Sequence, residues 1–587
     1  MSGDAAHQLQ IPIGALPFSV SASPSPSDLA FATPSSFDER PASIGAIPSG
    51  GNTQAVLDVS RMVSNLSSSV TMAANSNSFT SVFLDECLHM FFVKFIPTFP
   101  ILHRATFVFR DCARTLLLNA IAIGSLYLGQ KDAVAKGETL WHLAHTAIAT
   151  SWQTLITHRG EYDACEGVQL IITAVLGQVY GTLSKNRAIR TTSQAFHSLG
   201  FVWARRSGMF DSQPFDLRLV PALDTPELDK EHQWRLWVSR EIQQRALLAH
   251  YMLDGLISQM SGEPTSVRHA TNQLNLPSSE ASFEASTANE WISIIRLESP
   301  SDTTSFRTIL RQLFRPTLEK RWINTALSAF SYKVILEGLQ SLVSDDDTEE
   351  TAVGVPTRSE VRHALCQVYE GITTNSFLSS NDRLETILRW HSICLNTIVD
   401  SSLLCRTLCS RYNITQHIWR NADQSKHSID LVSWVTTSAA RSAVLHAMAI
   451  QELVEQLPRG RAHAITMPSA LFSAATVYSV FTLAGHPVMQ IPCTVVWQDV
   501  LSSGRQTTTN SYLSLSELSA SSQISLHETE TTKYIQGNSP ASPIGTTSRN
   551  LLYELNSMHK LFRCLYAQWG IAADMESVLE QWITLCH

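Results

Sequence analysis

From Phe79 to about residue 500, apolar side chains recur every three or four positions, and this periodicity decides the fold class. A helix turns once in 3.6 residues, so such spacing gathers apolar groups on one face. Phe83, Cys87, Met90 and Phe91 set the pattern, with Leu84, Leu88 and Phe92 widening the stripe. Pro97 and Pro100 then end the helix, because proline lacks an amide hydrogen and restricts the residue before it. Alternation with period two is rare. The one Asp-Gly hairpin signal, Asp254-Gly255, lies inside a helical pattern. The chain is expected to be all-α.

Three segments break the pattern. Residues 1–78 are rich in Ser, Pro, Ala and Gly, with too little apolar surface to offset chain entropy, and read as a disordered arm. Residues 344–358 read as a solvated linker. Residues 502–549, from SSGRQTTTNS to NSPASPIGTTSR, read as a disordered insertion. Beyond it Leu551, Leu555, Met558, Phe562, Leu565 and Trp569 form a stripe that must pack on something. Length alone, at 587 residues, would allow three or four domains. The periodicity instead gives an arm at 1–78, a helical body at 79–501, an insertion at 502–549, and C-terminal helices at 550–587 that dock back on the body.

Net charge is −8 and charged residues are 16%, a balance that argues against autonomous DNA binding, which draws most of its affinity from phosphate neutralisation. No basic n-region precedes the first apolar stretch, and no uninterrupted apolar run reaches about 18 residues. The chain reads as intracellular and soluble, with no membrane partner. Its ten cysteines (residues 87, 112, 165, 366, 394, 405, 409, 493, 564 and 586) are scattered and form no CxxC pair. They read as reduced thiols.

Candidate chemistry is sparse. Asp345, Asp346 and Glu349 match a DDxxE magnesium and pyrophosphate motif of all-helical terpene cyclases. The matching second motif fails, because Glu385 and Arg389 follow Asn381-Asp382 where a hydroxyl and a carboxylate are needed. A solvated acidic linker is the plain reading. Gly124 to Lys131 is one residue off a P-loop, but Gln130 follows Gly129 and a helical pattern precedes it. His142 with His145, His391 with Cys394, and Cys405 with Cys409 are pairs at helical spacing, and none has a second pair to complete a four-ligand zinc site. No catalytic, cofactor-binding, metal-binding or DNA-binding residue is assigned.

An ordered series of motifs carries more weight. It opens with Phe95-Ile-Pro-Thr-Phe-Pro-Ile-Leu-His-Arg-Ala-Thr-Phe107 and continues with the AR…GMF element within Phe196–Phe210. Trp234, Trp237, Glu241, Arg245 and Asp254 follow, then Leu276-Pro277, Phe283-Glu-Ala285 and Trp291. Trp390-His391, Cys394-Leu395, Trp434, Ala440-Arg441 and Leu445-His446-Ala447 come next, and Met467-Pro468, Leu471-Phe472 and Trp569-Gly570-Ile571 close the series. Over about residues 79–585 the chain resembles the fungal-specific transcription factor domain, the middle homology region usually found behind two-Cys-two-His or binuclear zinc-cluster fingers. The residues themselves read as structural. Glu241 and Arg245 are four apart and can pair on one helix; Trp234 and Trp237 can anchor one face.

The resemblance implies a helical, nuclear, non-enzymatic regulator of transcription, serving a metabolic gene set, secondary-metabolite genes among the candidates. No finger pattern is visible, so zinc is not expected as a cofactor. Contact with DNA is expected to be indirect or weak, and other regulators, a second copy of the chain or a small-molecule effector are the implied partners. Alternatives are a helical metabolite-sensing or protein-interaction module and, behind it, a terpene-cyclase-like enzyme. The segment map has a direct check: limited proteolysis should cut first before Phe79 and within 502–549. Early cuts inside 115–330, with those segments protected, would reverse it.

Overall fold

A computed structural model describes residues 79–129, 131–298, 305–315, 327–343, 356–419, 429–458, 460–502, 529–537 and 545–587. The arm at 1–78 and the acidic triplet Asp345, Asp346 and Glu349 lie outside them. The described chain is a stack of helices, with one two-stranded ribbon.

The first helix, α1 (Ser81–Met90), is capped by the Thr80 hydroxyl and runs on through a π-helical turn, Phe91–Phe95. It stops two residues before Pro97, where the ring bars further helix. The N-terminal half then builds α2 (Arg114–Ser125), α3 (Lys131–Leu155), α4 (Val168–Thr182), α5 (Arg187–Phe196) and α6 (Leu199–Arg206). Helix α4 is buried at every position but Gly177, so it has no polar face and sits at the centre of this half. Helices α2, α3, α5 and α6 sheathe it, joined by the first part of a 35-residue helix, α7 (Glu227–Ser261).

Short helices α8 (Glu280–Glu284), α9 (Ala288–Leu297) and α10 (Phe306–Leu313) lead to α11 (Ala329–Val343), which packs on α7. Then follow α12 (Arg358–Thr374), α13 (Ser380–Ile398), α14 (Ser401–Arg411), α15 (Leu431–Trp434) and α16 (Ser438–Gln456). Helix α12 opens on a reciprocal capping box between Thr357 and Glu360, which satisfies two end amides at once. The second central helix, α17 (Met467–Leu483), is buried from Met467 through Phe481. Helices α13, α14 and α16 surround it, together with α20 (Leu551–Tyr566) and α21 (Ile571–Leu585). The strip Leu551, Leu555, Met558, Phe562, Leu565 and Trp569 is fully buried there, with Phe562 edge-on to Phe472. No described helix is long and apolar enough to cross a membrane.

The two halves are welded at the C-terminus. The Ile571 amide donates to the Leu183 carbonyl, Gln568 bonds the Tyr127 hydroxyl, and the Trp569 indole donates to the His463 carbonyl. A smaller satellite core of Trp234, Trp237, Val238, Phe283, Ala285, Ala288, Trp291 and Ile292 lies over the start of α7.

The insertion read at 502–549 is narrower than the sequence indicates. Residues 503–528 and 538–544 lie outside the described residues, whereas α19 (Glu530–Gln536) and β2 (Thr546–Asn550) are formed. The short α18 (Trp497–Ser502) precedes α19, and Ile535 is buried beside Val500 and Leu445. Strand β2 pairs antiparallel with β1 (Val488–Pro492), in register from Val488 with Asn550 to Pro492 with Thr546. These elements are held by tertiary pairing rather than by a local pattern.

Gly124, the first glycine of the P-loop near-match, lies in α2 against α1, with no strand before it. A Cβ there would come 1.9 Å from the Cys87 carbonyl oxygen, so the glycine is there to let two helices touch. Gly124→Ala should therefore destabilise the chain by about 3 kcal/mol or more, read as a lower denaturant midpoint. An unchanged midpoint would contradict the helix crossing.

Candidate functional site

The motif residues that carry the resemblance meet on α7. Arg245, without exposed surface, sets its Nε 2.9 Å from Glu241 Oε1 one turn earlier, as the spacing predicts. Its other nitrogens donate to the carbonyls of Pro100 and Ser278, and its guanidinium lies 3.8 Å from the Phe283 ring centroid. Glu241 Oε1 also accepts the Ser278 amide. One side chain thus ties the opening motif, the Leu276-Pro277 turn and the satellite core to a single helix. Trp234 and Trp237 face that core, Trp237 at 5.5 Å from Trp291.

Two turns on, Asp254 is almost fully buried and accepts four hydrogen bonds. His197 Nε2 (3.0 Å) and the Ser266 amide (2.9 Å) reach Oδ1; His269 Nε2 (3.2 Å) and the Val267 amide (3.3 Å) reach Oδ2. Burial alone would raise this carboxyl, but the hydrogen bonds from His197 and His269 outweigh it and hold the group well below the usual carboxylate range. Gly255 makes room for Glu337, whose Oε2 would lie 2.3 Å from a Cβ. Glu337 in turn receives both Nε and a terminal nitrogen of Arg389 at 2.7 Å. Asp254-Gly255 is therefore a buried joint between helices, not a turn.

Beside these joints a cleft of about 80 Å³ opens between the Leu102–Cys112 loop, the 160–163 loop, α4 and α7. His103, from the opening motif, stands at its wall. Its Nδ1 is 2.9 Å from Thr106 Oγ1 and its Nε2 3.2 Å from the Ala285 carbonyl. Burial pushes its pKa down to about 4, so the ring is neutral. Gln169 braces the floor, donating to the Asp111 carbonyl and to Asp163 Oδ2 at 2.8 Å. Burial raises the Asp111 carboxyl, and the neighbouring Glu161 adds to the rise. Arg235 lies 4.7 Å above the Tyr162 ring and is already engaged by Glu231 at 2.7 Å. Three carboxylates, Asp111, Glu161 and Asp163, thus line the cleft against one paired guanidinium, an arrangement rich in hydrogen-bond acceptors. The 160–163 loop carries no signal in the sequence that would have placed it here.

The residues weighed earlier for metal or catalysis are scattered. His145 stacks on Trp141 with ring centroids 5.0 Å apart, while His142 beside it is exposed. His391 Nδ1 does not face Cys394; it lies 2.9 Å from His446 Nδ1, a pair the sequence did not indicate. Burial lowers both histidines, so they share one hydrogen bond between neutral rings. The sulfurs of Cys405 and Cys409 are 4.0 Å apart in the core, and burial raises the Cys405 thiol. Asp382 and Glu385 are both held by Arg461, and Glu385 also by Lys333. No group of three or more side chains arranged to hold a metal ion occurs among the described residues.

Comparison with known proteins bears on the same region. Residues 88–418, more than half of the chain, match the fungal specific transcription factor domain. The segments around Trp434, Met467 and Trp569 lie beyond that match. A nicotinate catabolism cluster-specific transcription factor of Emericella nidulans is 24% identical over 257 residues, 44% of this chain and 28% of that protein. Zinc finger protein klf1 of Schizosaccharomyces pombe is 22% identical over 248 residues, 42% of this chain and 30% of that protein. The matches thus span less than a third of either curated relative. No solved structure matches at a significant level.

Two substitutions test the joints. Arg245→Met leaves Glu241 buried without its partner and should cost about 3–5 kcal/mol in an unfolding titration. Asp254→Asn tests linkage. A carboxyl held low in the fold contributes stability above its unfolded pKa of about 3.9 and loses it as pH falls. The stability gap between wild type and Asp254→Asn should be full near neutrality and shrink below about pH 4. A gap that does not change with pH would refute the assignment of a charged Asp254.

Proposed function

This chain belongs to the fungal specific transcription factor domain family, and from that premise we propose that it is a regulatory region of fungal transcription control, acting in the nucleus and not as an enzyme. The observation that carries the proposal is the family match over a helical body in which motif residues of the match, Glu241, Arg245 and Asp254, serve as buried joints. Such residues hold a shape; they do not perform chemistry. A relative's name, a nicotinate catabolism cluster-specific factor, supports a metabolic gene set as the target.

DNA contact in this reading is borrowed. With net charge −8 and no finger pattern in these residues, the chain's own contact with DNA is indirect or weak in this reading, and its partners are other transcription regulators or a second copy. The carboxylate-rich cleft supports a second element of the proposal, a small-molecule effector that biases the helical body.

The reading predicts two outcomes. Fused to a foreign DNA-binding domain, the chain should change reporter output, and alone it should bind DNA only weakly, without sequence preference, and less as salt rises. Nanomolar, sequence-specific binding by the purified chain would overturn the borrowed contact. A silent reporter together with cytoplasmic residence would overturn the regulator reading.

A further inference from the structure

In the N-terminal half, α2, α3, α4, α5 and α6 leave a narrow slot of about 30 Å³. Asn119 of α2 lines it and is only 1% exposed. Its Nδ2 donates to the Thr173 carbonyl at 2.9 Å. That bond fixes the amide, because a flipped group would set Oδ1 against a carbonyl oxygen. Gly177 allows the arrangement, since a Cβ there would lie 3.0 Å from Asn119 Nδ2. Asn119 Oδ1 is then left buried with no hydrogen-bond partner. Buried acceptors are rarely left so, and one that is fixed in place asks for a group with a hydrogen to donate.

The remaining walls narrow the choice. The Trp141 indole N–H is spent on the Gly177 carbonyl at 2.8 Å, so this ring offers the slot only carbon and π surface. His145 stacks on Trp141, and Phe196 meets His145 edge-on at 4.7 Å. Gln178 adds a second amide; its Oε1 accepts from Ser193 Oγ at 2.6 Å, which leaves its N–H groups as the donor it can offer. No carboxylate, Lys or Arg lines the slot, and burial lowers the pKa of His145. A charged ligand head would stand there without a counter-charge, at high desolvation cost. The volume decides the size: at roughly 10–15 Å³ per atom-sized site, the slot holds two or three heavy atoms. One acceptor, one donor, flat apolar walls and room for three heavy atoms describe a carboxamide.

We infer that this slot is a binding site for the neutral carboxamide head of a small molecule, with the head's N–H on Asn119 Oδ1 and its carbonyl toward Gln178. The rest of the molecule lies toward His145 and Phe196, the half-buried side chains among those that line the slot. The inference does not rest on the regulator reading. It concerns a site separate from the acidic cleft, which the slot does not share a lining residue with.

The test uses the full chain and ligand-observed NMR with benzamide, and with benzoate and benzylamine as charged counterparts of the same size. Benzamide is expected to bind at millimolar concentration, and the two charged molecules at least about tenfold more weakly. Asn119→Leu removes the acceptor, and Ala174→Leu fills the slot while keeping every hydrogen bond described; each should weaken benzamide by about tenfold or more. Should Asn119→Leu fail to fold, Ala174→Leu decides alone. Four results overturn the inference: no benzamide binding, equal binding of benzoate or benzylamine, binding unchanged by Ala174→Leu, or a benzamide-soaked crystal with only a water on Asn119 Oδ1. The readout is binding by the isolated chain, so a silent reporter leaves the site standing and failure here leaves the regulator standing.

Discussion

The guanidinium of Arg245 is the constraint on which the opening motif, the Ser278 segment and the satellite core depend. A buried cation must be both paired and hydrogen-bonded, or its desolvation cost is not met. Glu241 supplies the charge from the same helix, but two carbonyls must come from elsewhere, and the chain brings them in from Pro100 and Ser278. Those two bonds hold the middle of the opening motif and the loop after α7 against one side chain. The prolines of Phe95–Phe107 have the same logic: they end a helix and leave a carbonyl free to be donated to. Separate stretches of the sequence, at Pro100, Ser278 and Phe283, thus meet around one side chain.

The same economy recurs further along α7. Asp254 and Gly255 are adjacent because one supplies a buried acceptor and the other gives up its side chain to the Glu337 carboxylate behind it. Glu337 holds Arg389, and Arg389 anchors α13, which packs on α16 and α17. The Glu337–Arg389 pair, with the Arg389 bond to Gln259 of α7, thus links α7 to the sheath around the second central helix. Apolar burial gives each half its stability, and these pairs set the angle and register between helices that apolar contacts alone would leave loose.

Much of this was legible in the sequence, and the remainder divides by physical cause. The stripe from Leu551 to Trp569 and the Glu241–Arg245 pair are local, one helix long, and period 3.6 exposes them directly. The central position of helices α4 and α17 is revealed only by their burial on all sides. Strands β1 and β2 lie more than 50 positions apart, and neither alternates clearly, so only their pairing defines them. The His391–His446 contact and the Asn119 slot join residues 55 positions and several helices apart. The P-loop near-match at Gly124 and the carboxylates at Asp382 and Glu385 were read against chemistry from spacing and context, and the structure gives the physical content: a helix crossing and an ion-pair cluster.

Where a ligand could act follows from how the cores adjoin. Val238 belongs to the satellite core and also lines the acidic cleft, as do Leu116 and Ile172 of the main core. The cleft is therefore bounded by both cores at once, and its His103 touches Trp234 and Phe283 of the satellite through ring contacts at 5.5 and 5.3 Å. The satellite buries far fewer residues than the main core. A molecule that binds only when both walls are in place stabilises their contact by linkage, in proportion to the logarithm of its concentration. The neutral state of His103 fits this arrangement, because the positive charge of Arg245 disfavours a charged ring there. Under the proposed effector reading, occupancy of the cleft would reach Arg245 through Phe283, which meets both the His103 ring and the Arg245 guanidinium.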